Sequence, residues 1–194
     1  MNHKLIISCL ALVLLCSTGY AAITQRGNNL VVDGDLTVLG NFTRYNPHQT
    51  YYDLTTQVMA STGTPYEINF SNNSGSCCMG LENGKNITFT AGGHYTFAVS
   101  GIFSTAAPNK CIELWFRKNG VDIENSNTKM CLAGSSMEVP LAVTLTVDVV
   151  PSDKISLMMA TDNANSELVY EAATAYSPAV PSIIVEVWKV SSLR

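Results

Sequence analysis

Along most of its length the chain alternates apolar and polar side chains with a period of two, the signature of half-buried β-strands. The longest example sets Tyr95, Phe97, Val99, Gly101 and Phe103 against Thr96, Ala98, Ser100, Ile102 and Ser104. A second sets Ile112, Leu114 and Phe116 against Glu113, Trp115 and Arg117, so one face is fully apolar and the other mixed. That run ends at Asn119-Gly120, the dipeptide that most readily supplies the two positive φ angles of a type I′ hairpin turn. Leu141, Val143, Leu145, Val147 and Val149 then alternate with Ala142, Thr144, Thr146 and Asp148. Pro151-Ser152-Asp153 turns the chain into Ile155–Ala160, and Glu167–Ala172 and Ile183–Val190 give two further strands.

Earlier in the chain, Thr55–Met59 and Tyr66–Phe70 are short extended segments around the turn-rich Ser61–Pro65. Ser71–Ser76 is a polar loop, and Ile87–Phe89 leads to a turn at Ala91–Gly93. Beyond the N-terminal segment no window has helical periodicity. Some eight to ten strands at regular spacing predict an all-β sandwich. Leu114, Phe116, Tyr95, Phe97, Val143 and Leu145 are expected to fill its core. The last strand is apolar on both faces apart from Glu186 and Lys189. One face is therefore assigned to the core and the other, with Glu186 and Trp188, to a subunit interface, against the simpler reading of a buried central strand.

The N-terminus has a different character. Lys4 precedes an uncharged apolar run from Leu5 to Cys16, and Gly19-Tyr20-Ala21 offers small residues for a signal peptidase, which places cleavage after Ala21. The run falls short of the roughly 20 residues that cross a bilayer. Lipidation at Cys16 is disfavoured by the bulky Leu15. Residues 22–50 form a second region, in which Leu30-Val31-Val32-Asp33-Gly34-Asp35 is echoed by Leu36-Thr37-Val38-Leu39-Gly40-Asn41. A six-residue period with glycine turns predicts a short β-repeat stalk, with a single hairpin as the plainer reading. Arg44–Thr50, holding Pro47, reads as a linker, and residues 51–194 as the head domain.

Composition narrows the partners. The whole chain has 11 basic and 15 acidic side chains, a formal charge of −4, and loss of Lys4 with the leader makes this −5. Mild acidity without a basic cluster argues against nucleic acid. Cys77, Cys78, Cys111 and Cys131 remain after cleavage, and an exported chain meets conditions that allow disulfides. A bridge between Cys111 and Cys131 across the Asn119-Gly120 turn is the most local pairing. It requires a bulge or slip, because Cys131 lies three residues beyond two-residue-turn register. Cys77 and Cys78 would then form a vicinal bridge, stay reduced or link chains. The spacings match no zinc pattern.

The head resembles the jelly roll shared by tumour necrosis factor and the complement one-q globular heads, and is similar above all to versions in phage and viral virion proteins and in some secreted bacterial proteins. The resemblance rests on Ala91-Gly92-Gly93-His94-Tyr95-Thr96-Phe97, on Ile112–Ser126 with its strand, lysine, Asn-Gly turn and Asn-Ser, and on Pro178–Val187 with its proline-bearing entry to the final strand. Ser152-Asp153 stands where that family commonly has Gly-Asp. The resemblance implies a ten-stranded jelly roll that assembles as a homotrimer. It implies no chemistry, since members serve as ligands, recognition heads, fibre tips and capsid decorations.

The residues themselves offer little catalysis. His3, His48 and His94 are scattered, and His94 reads as a turn residue. There is no nucleophile elbow and no phosphate loop. Asp122 and Glu124, two apart on one predicted strand, are the only carboxylate pair worth weighing for glycosidase work. Asp162–Glu167 is an oxygen-rich loop whose spacing departs from an EF-hand. Asn41, Asn69, Asn72 and Asn86 sit in glycosylation sequons. The sequence thus predicts an exported, non-enzymatic trimer, structural or adhesive, that uses no cofactor and whose head binds a surface receptor, glycan or protein. A virion component and a secreted glycan hydrolase are the alternatives.

Overall fold

The computed structural model describes residues 22–26, 29–33, 47–75, 78–135 and 137–191. The chain divides into two compact units, residues 1–44 and 45–194. In the first, β1 (Ala22–Arg26) and β2 (Asn29–Asp33) pair antiparallel with Arg26 opposite Asn29. The first copy of the hexad thus enters a hairpin. The expected signal segment, and residues 34–46, which hold the end of the first copy and the whole of the second, lie outside the described residues.

The second unit is all-β, and among the described residues it contains no helix. Its strands are β3 (His48–Asp53), β4 (Gln57–Met59), β5 (Tyr66–Glu67), β6 (Asn72–Gly75), β7 (Met79–Glu82), β8 (Asn86–Phe89) and β9 (Gly93–Thr105). They continue with β10 (Lys110–Lys118), β11 (Val121–Asp122), β12 (Thr128–Leu132), β13 (Met137–Val149), β14 (Lys154–Thr161), β15 (Ser166–Leu168) and β16 (Ile183–Ser191). Among the described residues fourteen strands stand where ten were expected, because eight of them are pieces of five residues or fewer.

Two antiparallel sheets face each other. In the first, β13 forms an edge and β9, β16, β3 and β6 follow in order, while β15 and β4 continue from the far end of β9. In the second, β10 lies between β14 and the short β11 and β12, and β14 leads to β8 and β7, with β5 also on β14. The core between them is lined by Tyr95 and Phe97 from β9, Phe89 from β8 and Phe116 from β10. Phe97 bridges the layers edge-on, with ring centroids 5.5 Å from Phe116 and 6.2 Å from Phe89.

Leu114, Phe116, Tyr95 and Phe97 are fully buried as expected. Val143 and Leu145 are not: they pack against the core but stay half-exposed. Their strand is an edge, paired among the described residues only with β9, so no neighbour covers their far side. Two expectations from the pattern also need correction. His48–Thr50, assigned to a linker, opens β3, which pairs with β16 from Asp53↔Ile183 to His48↔Trp188. The buried positions of β3 are Gln49, Tyr51 and Asp53, and two polar residues out of three conceal the alternation. The strand expected over Glu167–Ala172 stops at Leu168, and the chain then leaves the sheet as an excursion pinned by the Glu171↔Val180 bridge.

Candidate functional site

Every buried polar side-chain atom among the described residues has a hydrogen-bond partner, so the interior shows no orphaned group awaiting a ligand.

On the second sheet, the Asn119-Gly120 turn shapes the surface. Both residues take positive φ, 51° and 82°, and Lys118 stands opposite Val121, which is the type I′ geometry expected. After the Arg117↔Asp122 pair the returning strand bulges. Ser126 folds under it, its Oγ accepting from Phe116 N–H (3.1 Å) and donating to Ile123 O (2.7 Å). Pairing resumes at Leu114↔Thr128 with a shift of three residues, and that shift brings Cys111 opposite Cys131. The two are joined by a disulfide. The slip required by the sequence is therefore present, and Ser126 is the device that fills it. Cys78 is also disulfide-bonded, and Cys77 lies outside the described residues.

The bulge separates the carboxylates once considered together. β11 ends at Asp122, and Glu124 lies in the following turn, exposed. Asp122 Oδ1 instead accepts from Trp115 Nε1–H (2.8 Å) and from Arg117 Nε–H (2.7 Å). The guanidinium, with the indole N–H second, holds the Asp122 carboxyl below the usual carboxylate range. Glu113, two residues from Trp115 on the same face, accepts from Asn127 Nδ2–H (2.9 Å) and Lys129 Nζ–H (3.0 Å), and these contacts lower its pKa too. Trp115 thus stands between two carboxylates that are both ionised and both anchored.

Two shallow concavities adjoin at this place. One, of about 230 Å³, is bordered by Glu113, Trp115, Asp122, Ile123 and Asn127. The other, of about 560 Å³, extends past the opposite side of Glu113 and Trp115 toward Pro65, Lys129, Thr161 and Asp162. Together they form one groove along the outer face of β10. Sequence reasoning put Trp115 on the mixed face but missed the groove, because its partners arrive through the three-residue slip.

The loop of Asp162–Glu167 spends its oxygens on the strands around it. Asp162 Oδ1 accepts from Cys111 N–H (2.7 Å), and Ser166, Thr161 and Thr105 share hydroxyl hydrogen bonds of 2.9 and 3.2 Å. Among the described residues no three His, Cys, Asp or Glu side chains gather as metal ligands. His94, expected in the turn, is the second residue of β9, where its Nδ1 meets the Asp148 carboxylate across the β9–β13 pair. Of the sequons within the described residues, Asn69 is exposed, and Asn72 and Asn86 are half-exposed. Asn41 lies outside them.

On the first sheet, Glu186 is exposed and Trp188 half-buried, both on the outer side of β16. β16 is central, between β9 and β3; Ile183, Val185 and Val187 on its inner face are buried, while its outer face is half-buried to exposed. Glu186 is flanked by Ala98 and Thr50, and Ala98 in turn by Thr144. Trp188 is flanked by Thr96 and His48, with Thr146 beyond Thr96. Lys189, the other charge in this strand, falls on the core side at the open end of the sandwich and sets its ammonium 5.9 Å from the centre of the Tyr95 ring. No helix among the described residues is long and apolar enough to cross a membrane. No protein-family model matches the chain, and no curated protein sequence matches it.

Proposed function

We propose that the chain is an exported, non-enzymatic protein whose jelly-roll head assembles as a homotrimer and serves a structural or adhesive role at a surface. The observation that carries this reading is the outer face around Glu186 and Trp188. An antiparallel sheet with one solvated face normally turns charged and strongly polar residues outward. Here the centre of that face presents Ala98, Thr144, Thr146, Ile184 and Trp188, with Glu186 the one carboxylate among them. Such a surface suits contact with another subunit better than contact with water. The resemblance to tumour necrosis factor and complement one-q heads supports three copies as the closed assembly. The Cys111–Cys131 disulfide supports export, with cleavage after Ala21. Contacts with a surface receptor, glycan or protein would then be made three at a time, and modest single affinities would reinforce one another.

Sedimentation mass of the secreted chain, with and without residues 22–45, tests the proposal. The expected species is a trimer of both forms. Trp188→Asp should yield single subunits that keep a β-sheet circular dichroism spectrum. A wild-type head that remains a lone subunit at high concentration would overturn the reading.

A further inference from the structure

We infer that the groove along β10 is a binding site for a neutral oligosaccharide, with Trp115 as the stacking platform and Asp122 and Glu113 as the hydroxyl acceptors. The inference rests on the adhesive reading of the head and names the chemistry by which it holds a surface.

The geometry points to sugar by what it offers and what it lacks. A pyranose ring has one apolar C–H face and a rim of hydroxyls. Recognition therefore calls for an aromatic plane beside groups that accept and donate hydrogen bonds in fixed directions. Trp115 supplies the plane, and its indole is held in place because its Nε1–H is committed to Asp122 Oδ1. Asp122 Oδ1 is engaged by Trp115 and Arg117, which fixes the carboxylate and leaves Oδ2 without a hydrogen bond to any described residue. Across the indole, Glu113 is fixed through both oxygens, Oε2 by Asn127 and Oε1 by Lys129, each oxygen keeping a lone pair for a further donor. These side chains are oriented before any ligand arrives, which lowers the ordering cost of binding.

Alternative ligand chemistries fit less well. The carboxylates Glu113, Asp122 and Asp162 stand against Lys129 and Arg117, so the local charge nearly cancels and slightly repels anions. No enclosed apolar cavity exists there for a hydrophobic molecule. Both concavities share Glu113 and Trp115 as their common wall, so a ligand stacked on the indole has room to continue on either side. A linear oligomer lying along β10 fits that shape.

The test uses the full secreted chain on an array of neutral hexose and N-acetylhexosamine oligomers, with sialylated and sulfated glycans as the contrast. Binding to neutral oligomers is expected. Trp115→Ala should weaken it by about tenfold or more, the scale of one lost aromatic contact. Asp122→Asn should weaken it with the melting curve little changed, and Trp115→Phe should retain part of it. A second measurement needs no trimer. In Trp188→Phe the remaining indole is Trp115, whose fluorescence should shift when a neutral hexose oligomer is added. Failure of every neutral glycan to bind, capture of acidic glycans alone, or unchanged binding by Trp115→Ala each overturns the inference. A trimeric mass alongside those results would leave the proposed assembly standing, whereas a fluorescence shift together with a wild-type chain that stays a single subunit would sink the assembly and keep the groove.

Discussion

Asn119, at the tip of one hairpin, donates through Nδ2–H to Oδ1 of Asp153, in the turn between β13 and β14, at 2.7 Å. The same amide accepts from Lys154 N–H through Oδ1 (2.8 Å), so a residue selected for a left-handed turn also staples a second turn. Asp153 in turn takes the ammonium of Lys118 and the Val150 N–H, at 2.7 and 2.8 Å, while only 6 % exposed. Two hairpins are thereby joined at one end of the sandwich around a single buried carboxylate.

Asp153 should make the fold sensitive to acid. Burial alone would raise its pKa, but the hydrogen bonds from Lys118, Val150 and Asn119 outweigh burial and bring it below the usual range. A group with a lowered folded pKa adds stability above its unfolded value, near 3.9, and that contribution fades as pH falls through the folded value. Urea midpoints taken between neutral and strongly acid pH should fall for the wild type. Asp153→Asn should be less stable at neutral pH by about 2 kcal/mol, the cost of stranding buried partners, and should show a shallower loss on acidification. Equal pH slopes for the two proteins would refute this.

The disulfide should contribute by restraining the unfolded chain. Cys111 and Cys131 are 20 residues apart, and closing a loop of that size is worth about 3 kcal/mol. The Cys111→Ser/Cys131→Ser double variant should melt earlier by that margin. The double variant is cleaner than a reductant, which would also reach the bridge at Cys78.

Ser152 should be an improvable position. It is exposed and takes φ 76°, a left-handed conformation that costs an L-residue about 1 kcal/mol or more. Its N–H still donates to Phe89 O at 2.8 Å, a bond glycine keeps. Ser152→Gly should raise the thermal midpoint, read by circular dichroism.

Phe97 should be the costliest single core truncation among the aromatics that cross the layers. Fully buried, it meets both Phe89 and Phe116 of the opposite sheet, whereas Tyr95 meets Phe89. Phe97→Ala should cost about 3–5 kcal/mol in urea denaturation. A loss under half that size would show that the layers collapse to refill the space.

Legibility in the sequence followed the chemistry of each element. The long strands β9, β10, β13 and β16 were readable because one face of each is apolar through most of its length. The Asn119-Gly120 turn was readable because few dipeptides tolerate two positive φ angles. The same dipeptide at Asn83-Gly84, with φ 53° and 68°, closes the β7–β8 hairpin and carried a signal that went unused. β3 and β6 were hidden because polar residues serve their sheet positions, Gln49 and Asp53 inside and Asn72–Gly75 at an edge. Asp53 pays for its burial locally, accepting from Thr55 N–H (2.8 Å) and Thr55 Oγ–H (2.7 Å). The groove was invisible for a different reason. Glu113 and Lys129 are cross-strand neighbours only because of the slip, and spacing along the chain cannot announce a slip that depends on how Ser126 folds inward.

The position of β16 between β3 and β9 governs when the molecule can finish folding. The two strands it joins begin at residues 48 and 93, whereas β16 begins at residue 183. Until β16 pairs, the first sheet lacks the strand that links β3 to β9. Closing it takes contacts between residues far apart in the chain, the kind of pairing that forms slowly, so this sheet is completed late.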